Sequence, residues 1–257
     1  MSIHDHFRRD EQPFVDQVLD WKQYVIDRYA PKLTDFLDPR EQEIVRSIIG
    51  NGPDVYVVFS GGNEDTERKR AFILPPYIEV TDDDFELAIY HVHYPKKFIT
   101  LEHRHVLGAL MNIGLRREKF GDIVVNDGQI QFVVAEDVAQ FVEMNLTAIS
   151  KASVRLDRID VSKMIEQSSK YSENVMTVSS LRADAVVSEI YRLSRAKVKP
   201  LFDKERVKVN WKVVDQASYQ MGVGDVLSVR GQGRSKLLGI EGETKKGKLL
   251  IRVGIQQ

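Results

Sequence analysis

The chain contains no cysteine. Disulfides, thiolate metal sites and cysteine nucleophiles are therefore excluded. No apolar run approaches the roughly 18 residues that a membrane span needs. The opening MSIHDHFRRDEQPF lacks the apolar core of a signal peptide. These absences set the expectation of a cytoplasmic protein with no membrane contact. There is no internal repeat and no low-complexity tract, and a hydrophobic share of 42% is that of an ordinary globular chain.

Net charge is also nearly absent, at −1 over 257 residues, but that value hides a polarity. Residues 181–257 hold 16 Lys and Arg against 8 Asp and Glu, a net of +8. Residues 1–180 hold 21 basic and 30 acidic side chains, a net of −9. Such asymmetry points to a polyanion-binding module on a carrier that does not bind through bulk charge.

The hydrophobic pattern divides the chain further. Phe14, Val18, Trp21 and Val25 repeat as one face of an amphipathic helix. Asp38-Pro39-Arg40-Glu41 reads as a helix start with a capping box, Ile44, Val45, Ile48 and Ile49 as its buried stripe, and Gly50 as its stop. Val55–Phe59 and Ala71–Leu74 read as strands around a Gly61-Gly62-Asn63 turn and a short basic run, Arg68-Lys69-Arg70. Pro75-Pro76 and Asp82-Asp83-Asp84 mark a boundary. Beyond it come a strand (85–94), a helix capped at Thr100, a hairpin turning at Asn126-Asp127-Gly128-Gln129, a helix (136–149) and a strand (153–159). That β-α-β-β-α-β order is ferredoxin-like, as in RNA-recognition modules, although no aromatic RNA-recognition strand is present. The polar, serine-rich stretch 162–180 reads as a linker. The expected fold class is α+β: an N-terminal α/β domain (1–79), an RRM-like middle domain (80–161), the linker, and a basic C-terminal domain (181–257).

Spacing singles out contact residues in the basic part. Arg195, Lys197 and Lys199 fall at i, i+2 and i+4 of a helix, so Arg195 and Lys199 share a face. Ser194 is expected to cap that helix, which places the face near N–H groups that favour a phosphate. Arg206 and Lys208 alternate with Val207 and Val209, so this strand offers charge on one side and packing on the other. Trp211 either stacks on a base or ribose or closes the small core. Arg230, Arg234 and Lys236 flank Gly231 and Gly233 in what reads as a flexible basic loop. Any one of these charges alone reads as a solvated surface residue; the set points to nucleic acid.

The stretch LRADAVVSEIYRLSRAKVKPLFDKERVKVNWKVVDQASYQMGVGDVLSVRGQGR resembles an S4 (αL-type) RNA-binding domain. Its marks are an Arg-led first helix, a Ser-Arg opening to the second, a Val-Lys-Val-Asn strand and a Gly-Asp-Val turn. In that family two helices and the following strand form the RNA-binding face. The resemblance places Arg182, Arg195, Lys197, Lys199, Arg206, Lys208 and Asn210 on it. Three residues depart from the pattern: Glu205 and Trp211 stand where glycines are usual, and Pro200 interrupts a helix at a cost of about 3 kcal/mol. Local geometry is expected to differ there.

Over residues 3–257 the chain is similar to the YlmH-type S4 proteins of Gram-positive bacteria, with DFLDPREQEIV, GDIVV, QFVV and FVEMNLTAI in order before the S4 stretch. The resemblance implies a monomeric RNA-binding protein of the large ribosomal subunit. It implies contact with 23S rRNA and peptidyl-tRNA, a role in rescue of stalled ribosomes beside other quality-control factors, and a link to cell division. It implies no cofactor and no catalysis. The alternative is an rRNA-modifying enzyme, because Arg155-Leu156-Asp157 resembles the catalytic strand of pseudouridine synthases. The usual Thr-Ser-Gly after it is missing, and the tripeptide precedes the S4 stretch rather than following it. His91 and His93 share a strand face and would need a third ligand to hold a metal; half-buried strand histidines are the plainer reading, and no metal site is expected.

Overall fold

The computed structural model describes residues 7–50, 52, 54–165 and 171–256. The fold is α+β, with helices packed on several antiparallel sheets, and the chain forms two compact units, Met1–Ser168 and Ser169–Gln257.

In the first unit, helix α1 (Gln12–Arg28) starts on Pro13 and buries Val15, Val18 and Val25. The expected Phe14 and Trp21 lie at the margin of that face, their rings meeting edge to face at 5.8 Å. Strand β1 (Lys32–Leu37) follows, and was not expected. Its apolar alternation is broken by a bulge between Leu33 and Phe36, and it buries Thr34, whose hydroxyl accepts from the Ala71 N–H. Helix α2 (Pro39–Ile49) begins at the expected capping box: Asp38 accepts from the Glu41 N–H, and Glu41 accepts from the Asp38 N–H. Strands β2 (Tyr56–Ser60) and β3 (Lys69–Leu74) complete a sheet of order β1-β3-β2.

A second sheet follows in the same unit. Its strands are β4 (Leu87–His93), β5 (Phe120–Asn126), β6 (Gln129–Ala135) and β9 (Arg155–Ile159), in the order β5-β6-β4-β9. Helix α3 (His103–Asn112) enters two residues later than expected, with Glu102 as N-cap. The hairpin turn is where the sequence placed it, with Asp127 and Gly128 at φ 47° and 70°, the left-handed pair of a type I′ turn. Helix α4 (Ala139–Asn145) is shorter than the expected 136–149, because Ala148–Ile149 (β7) turns back to pair with Ala152–Ser153 (β8). The β-α-β-β-α-β order is present.

These two segments, expected as separate domains, carry separate sheets but pack as one unit. The joint is polar and buried. Asp122 on β5 is 7% exposed and accepts from the Glu67 and Arg68 N–H groups at 2.6 and 3.0 Å. Burial still holds its carboxyl above the usual aspartate range, against the pull of those two donors. Arg70, part of the short basic run, is 6% exposed and donates to the carbonyls of Thr34, Phe85 and Glu86.

The second sheet has two unlike faces. Ala88, Tyr90 and Val92 on β4 join Phe132 and Val134 on β6 in a core with Val106 and Leu110 of α3 and Val142 of α4. The opposite face, through Ile89, Val133 and Ala135, is covered by Phe36, Val161 and Met164. Gln131 extends this cover: its amide donates to the Lys163 carbonyl and accepts from the Ile165 N–H.

The second unit corrects the linker expectation over 162–180. Tyr171–Val178 is strand β10, paired in register with β15 (Leu249–Gln256) from Tyr171 opposite Gln256 to Val178 opposite Leu249. Residues 166–170 of the expected linker lie outside the described residues. The polar composition misled because an edge strand needs only one apolar face, and its pairing comes from the far end of the unit. With β11 (Val207–Val209), β12 (Lys212–Val213), β13 (Val226–Val229) and β14 (Gly233–Glu243), the sheet runs β10-β15-β14-β13-β11-β12. Helices α5 (Ala183–Ile190) and α6 (Arg195–Asp203) pack Val186, Val187, Ile190, Val198 and Phe202 against Val207, Val209, Leu227, Val229 and Leu237. That apolar face leaves the other side of the strands to solvent.

Candidate nucleic-acid interface

Register decides where the basic side chains go. Lys208 on β11 lies opposite Ser228 on β13, and Ser228 lies opposite Arg234 on β14. The three form one row across the sheet, on the face away from the helices. Lys236 falls two residues along β14 from this row and shares its face, while Arg206 and Arg230 flank the strand ends beside it. The Arg230 N–H donates to the Arg206 carbonyl at 2.9 Å, which sets the two backbones side by side. The expected flexible loop around Gly231 and Gly233 is therefore a tight hairpin, and Arg234 and Lys236 sit on a strand. The sequence reading missed β14 because Gly233 and Gly239 interrupt its pattern.

Trp211 sits at the end of this face. Asn210 and Trp211 form the turn between β11 and β12, with φ 49° and 64°. The Arg234 guanidinium carbon lies 5.5 Å from the Trp211 ring centroid, within cation–π range. The indole is half-buried, so it serves the turn while keeping one side open. Asn210 is committed to the fold: its amide donates to Asp225 at 2.8 Å and accepts from the Val226 N–H at 2.9 Å. It staples the β11–β12 turn to the Gly224-Asp225 turn and so positions its neighbours.

The helix residues form a second group. Arg195, Lys197 and Lys199 are exposed on α6, flanking the buried Val198 and Phe202. Ser194 holds the N-cap position, but its side chain makes no cap hydrogen bond. Arg182, at the N-cap of α5, is tied to Asp184 through two hydrogen bonds of 3.1 and 2.8 Å. That guanidinium holds the Asp184 carboxyl below its usual range, and the carboxylate in turn raises Arg182. Among the described residues, Arg195, Lys197, Lys199, Arg206, Lys208, Arg230 and Lys236 have no ion-pair partner. The expected residues thus fall into a sheet-face group and a helix group rather than one continuous surface.

Two of the three residues singled out, Glu205 and Trp211, have the left-handed backbone that glycine favours. Glu205 has φ 52° and closes α6 as a Schellman cap: the Arg206 N–H reaches the Leu201 carbonyl at 2.8 Å and the Glu205 N–H reaches Phe202 at 2.9 Å. Arg192, at φ 52°, closes α5 in the same way. Pro200 lies within α6 on its exposed side, where the Ala196 carbonyl it leaves without a donor can meet water. Glu205 and Trp211 hold left-handed backbone at the cost of strain in residues that carry a Cβ.

The other candidate groups sort differently. His91 and His93 do share a face of β4, their rings 4.8 Å apart, and His93 bonds Asp157 at 2.6 Å. Asp157 also pairs with Arg155. No group of three or more His, Asp or Glu among the described residues is placed to hold a metal ion, and none of their helices is long and apolar enough to cross a membrane.

A basic, one-sided sheet on an α+β scaffold is the electrostatic profile of a nucleic-acid-binding protein. The chain belongs to the YlmH family. Residues 10–78 match the family described as "YlmH, N-terminal", and residues 81–163 match the one described as "Putative RNA-binding domain in YlmH". Over 247 residues, 96% of each chain, it is 49% identical to the ribosome-associated protein quality control protein P2 of Bacillus subtilis (strain 168). Among solved structures it is similar to the cell division protein ylmH from Streptococcus pneumoniae. That match has 28% identity and a TM-score of 0.55, and covers 64% of this chain and 100% of that one.

Proposed function

We propose that this protein is a non-catalytic RNA-binding factor of the large ribosomal subunit that acts in quality control of stalled ribosomes. Its three parts are an N-terminal α/β domain, an RRM-like middle domain and a C-terminal S4 domain. The S4 domain contacts 23S rRNA and peptidyl-tRNA, and the protein works as a cytoplasmic monomer. The observation that carries this reading is that seven of the expected cations on the C-terminal unit have no ion-pair partner among the described residues. Unpaired surface charge of one sign is unfavourable in the free protein and becomes favourable against phosphate, where it also releases counterions. The name of the Bacillus subtilis relative supports the ribosome as the place of action. In this reading Arg182, Arg195, Lys197, Lys199, Arg206, Lys208, Arg230, Arg234 and Lys236 meet phosphate, Trp211 offers a ring to a base or ribose, and Asn210 holds the turn.

The test is co-sedimentation with 50S subunits at near-physiological salt. Charge reversal of Arg195 and Lys199 together is expected to release the protein. Unchanged co-sedimentation of that variant would overturn the proposal.

A further inference from the structure

The segment matched as an RNA-binding domain has a sheet face of the kind RNA-recognition modules use, yet most of that face is taken by the chain itself. Phe36, Val161 and Met164 cover Ile89, Val133 and Ala135, and Gln131 is bonded to Lys163 and Ile165. What stays open is the end where β4 leaves the sheet. There His91 lies opposite Asp157 and His93 opposite Arg155. The two imidazoles meet at 4.8 Å, and Arg155 is largely exposed beside them. The loop that follows β4 carries Lys96, Lys97 and Phe98. Phe98 is 87% exposed, so its ring has no packing role in the fold.

This combination of π faces and cations is the chemistry that recognises unstacked nucleotides: rings for the bases, cations for the phosphates. A duplex would present phosphates without bases and would leave the rings unused. Burial first, then His93 and Lys96, lower the proton affinity of His91, so its ring is neutral at neutral pH and suited to stacking. We infer that the open end of the β4–β9 face, with Phe98, binds a short single-stranded RNA segment of about one or two unstacked bases. The site rests on the reading of this protein as an RNA-binding factor and belongs to the first unit.

The experiment uses the full chain and a ten-nucleotide single-stranded RNA containing 4-thiouridine, with an RNA duplex as competitor. Crosslinks are expected within 91–98 or at Arg155, and the duplex should not compete for them. His91→Ala with Phe98→Ala should weaken binding at this site about thirtyfold or more, since each lost stack is worth at least about fivefold. His91→Phe should keep the affinity, because it keeps the ring; circular dichroism checks that each variant is folded. Crosslinks confined to other parts of the chain, with retention on 50S subunits intact, would overturn this site and leave the proposed function standing. Absence of both RNA crosslinks and 50S retention would overturn the two together.

Discussion

At the residue scale, the telling positions are those where a side chain stands in a conformation that glycine favours. Glu205 at φ 52° ends α6 and Trp211 at φ 64° turns the β11–β12 hairpin. A left-handed residue with a Cβ costs about 1–2 kcal/mol, partly offset because glycine loses more entropy on folding. Among the described residues the Glu205 side chain has no hydrogen bond or ion pair, whereas Trp211 gains the Arg234 guanidinium. Glu205→Gly is therefore expected to stabilise the protein by about 0.5–1 kcal/mol in denaturant unfolding. A loss of stability would contradict the account. The sequence alone identified both positions by their departure from a pattern. It could not say that the backbone would hold and the side chain would yield, because that depends on the Schellman hydrogen bonds. Asn210 was legible as part of a motif, but its bonds to Asp225 and Val226 were not, since those partners lie on another turn.

At the element scale, local signals were read well and non-local ones poorly. The capping box of α2 and the Asn126–Gln129 turn act within four residues, and both stand where the sequence put them. Strand β10 is a strand because β15 pairs with it, and β14 is a strand because β13 and β15 flank it. Neither partner is visible in the local pattern. The row Lys208–Ser228–Arg234 has the same origin: alternation shows which residues share a face of one strand, and only register aligns the strands. Helix α6 offers a test at this scale. Pro200 faces solvent, so its replacement disturbs no packing and restores one helical hydrogen bond. Pro200→Ala is expected to raise stability by about 1–2 kcal/mol, the helix-interior penalty less the rigidity that proline lends the unfolded chain. The denaturant midpoint should rise with an unchanged m-value; a fall would mean that the proline shapes the helix in a way its neighbours require.

At the scale of the whole molecule, the charge split sets the behaviour. The net of −9 on residues 1–180 and +8 on 181–257 leaves little overall field, so in the proposed reading attraction to RNA comes from the local set of cations and not from bulk charge. If the nine cations proposed to meet phosphate are the contacts, the logarithm of affinity for 50S subunits should fall with the logarithm of salt at a slope no steeper than about −8. Each charge removed should flatten the slope by about one unit. Titration of binding between low and physiological salt measures this, and a flat response would remove phosphate contact as the basis of association.

Strand β15 lies inside its sheet, between β14 and β10, although it follows all the other strands of that sheet along the chain. Its partner β10 opens the unit and must wait for it across the whole intervening chain. The contact order of this unit is therefore high, and its closure is a late event in synthesis. A nascent copy holds its basic residues on strands that are not yet locked in register. The finished charge pattern comes into being only once β15 has been laid down.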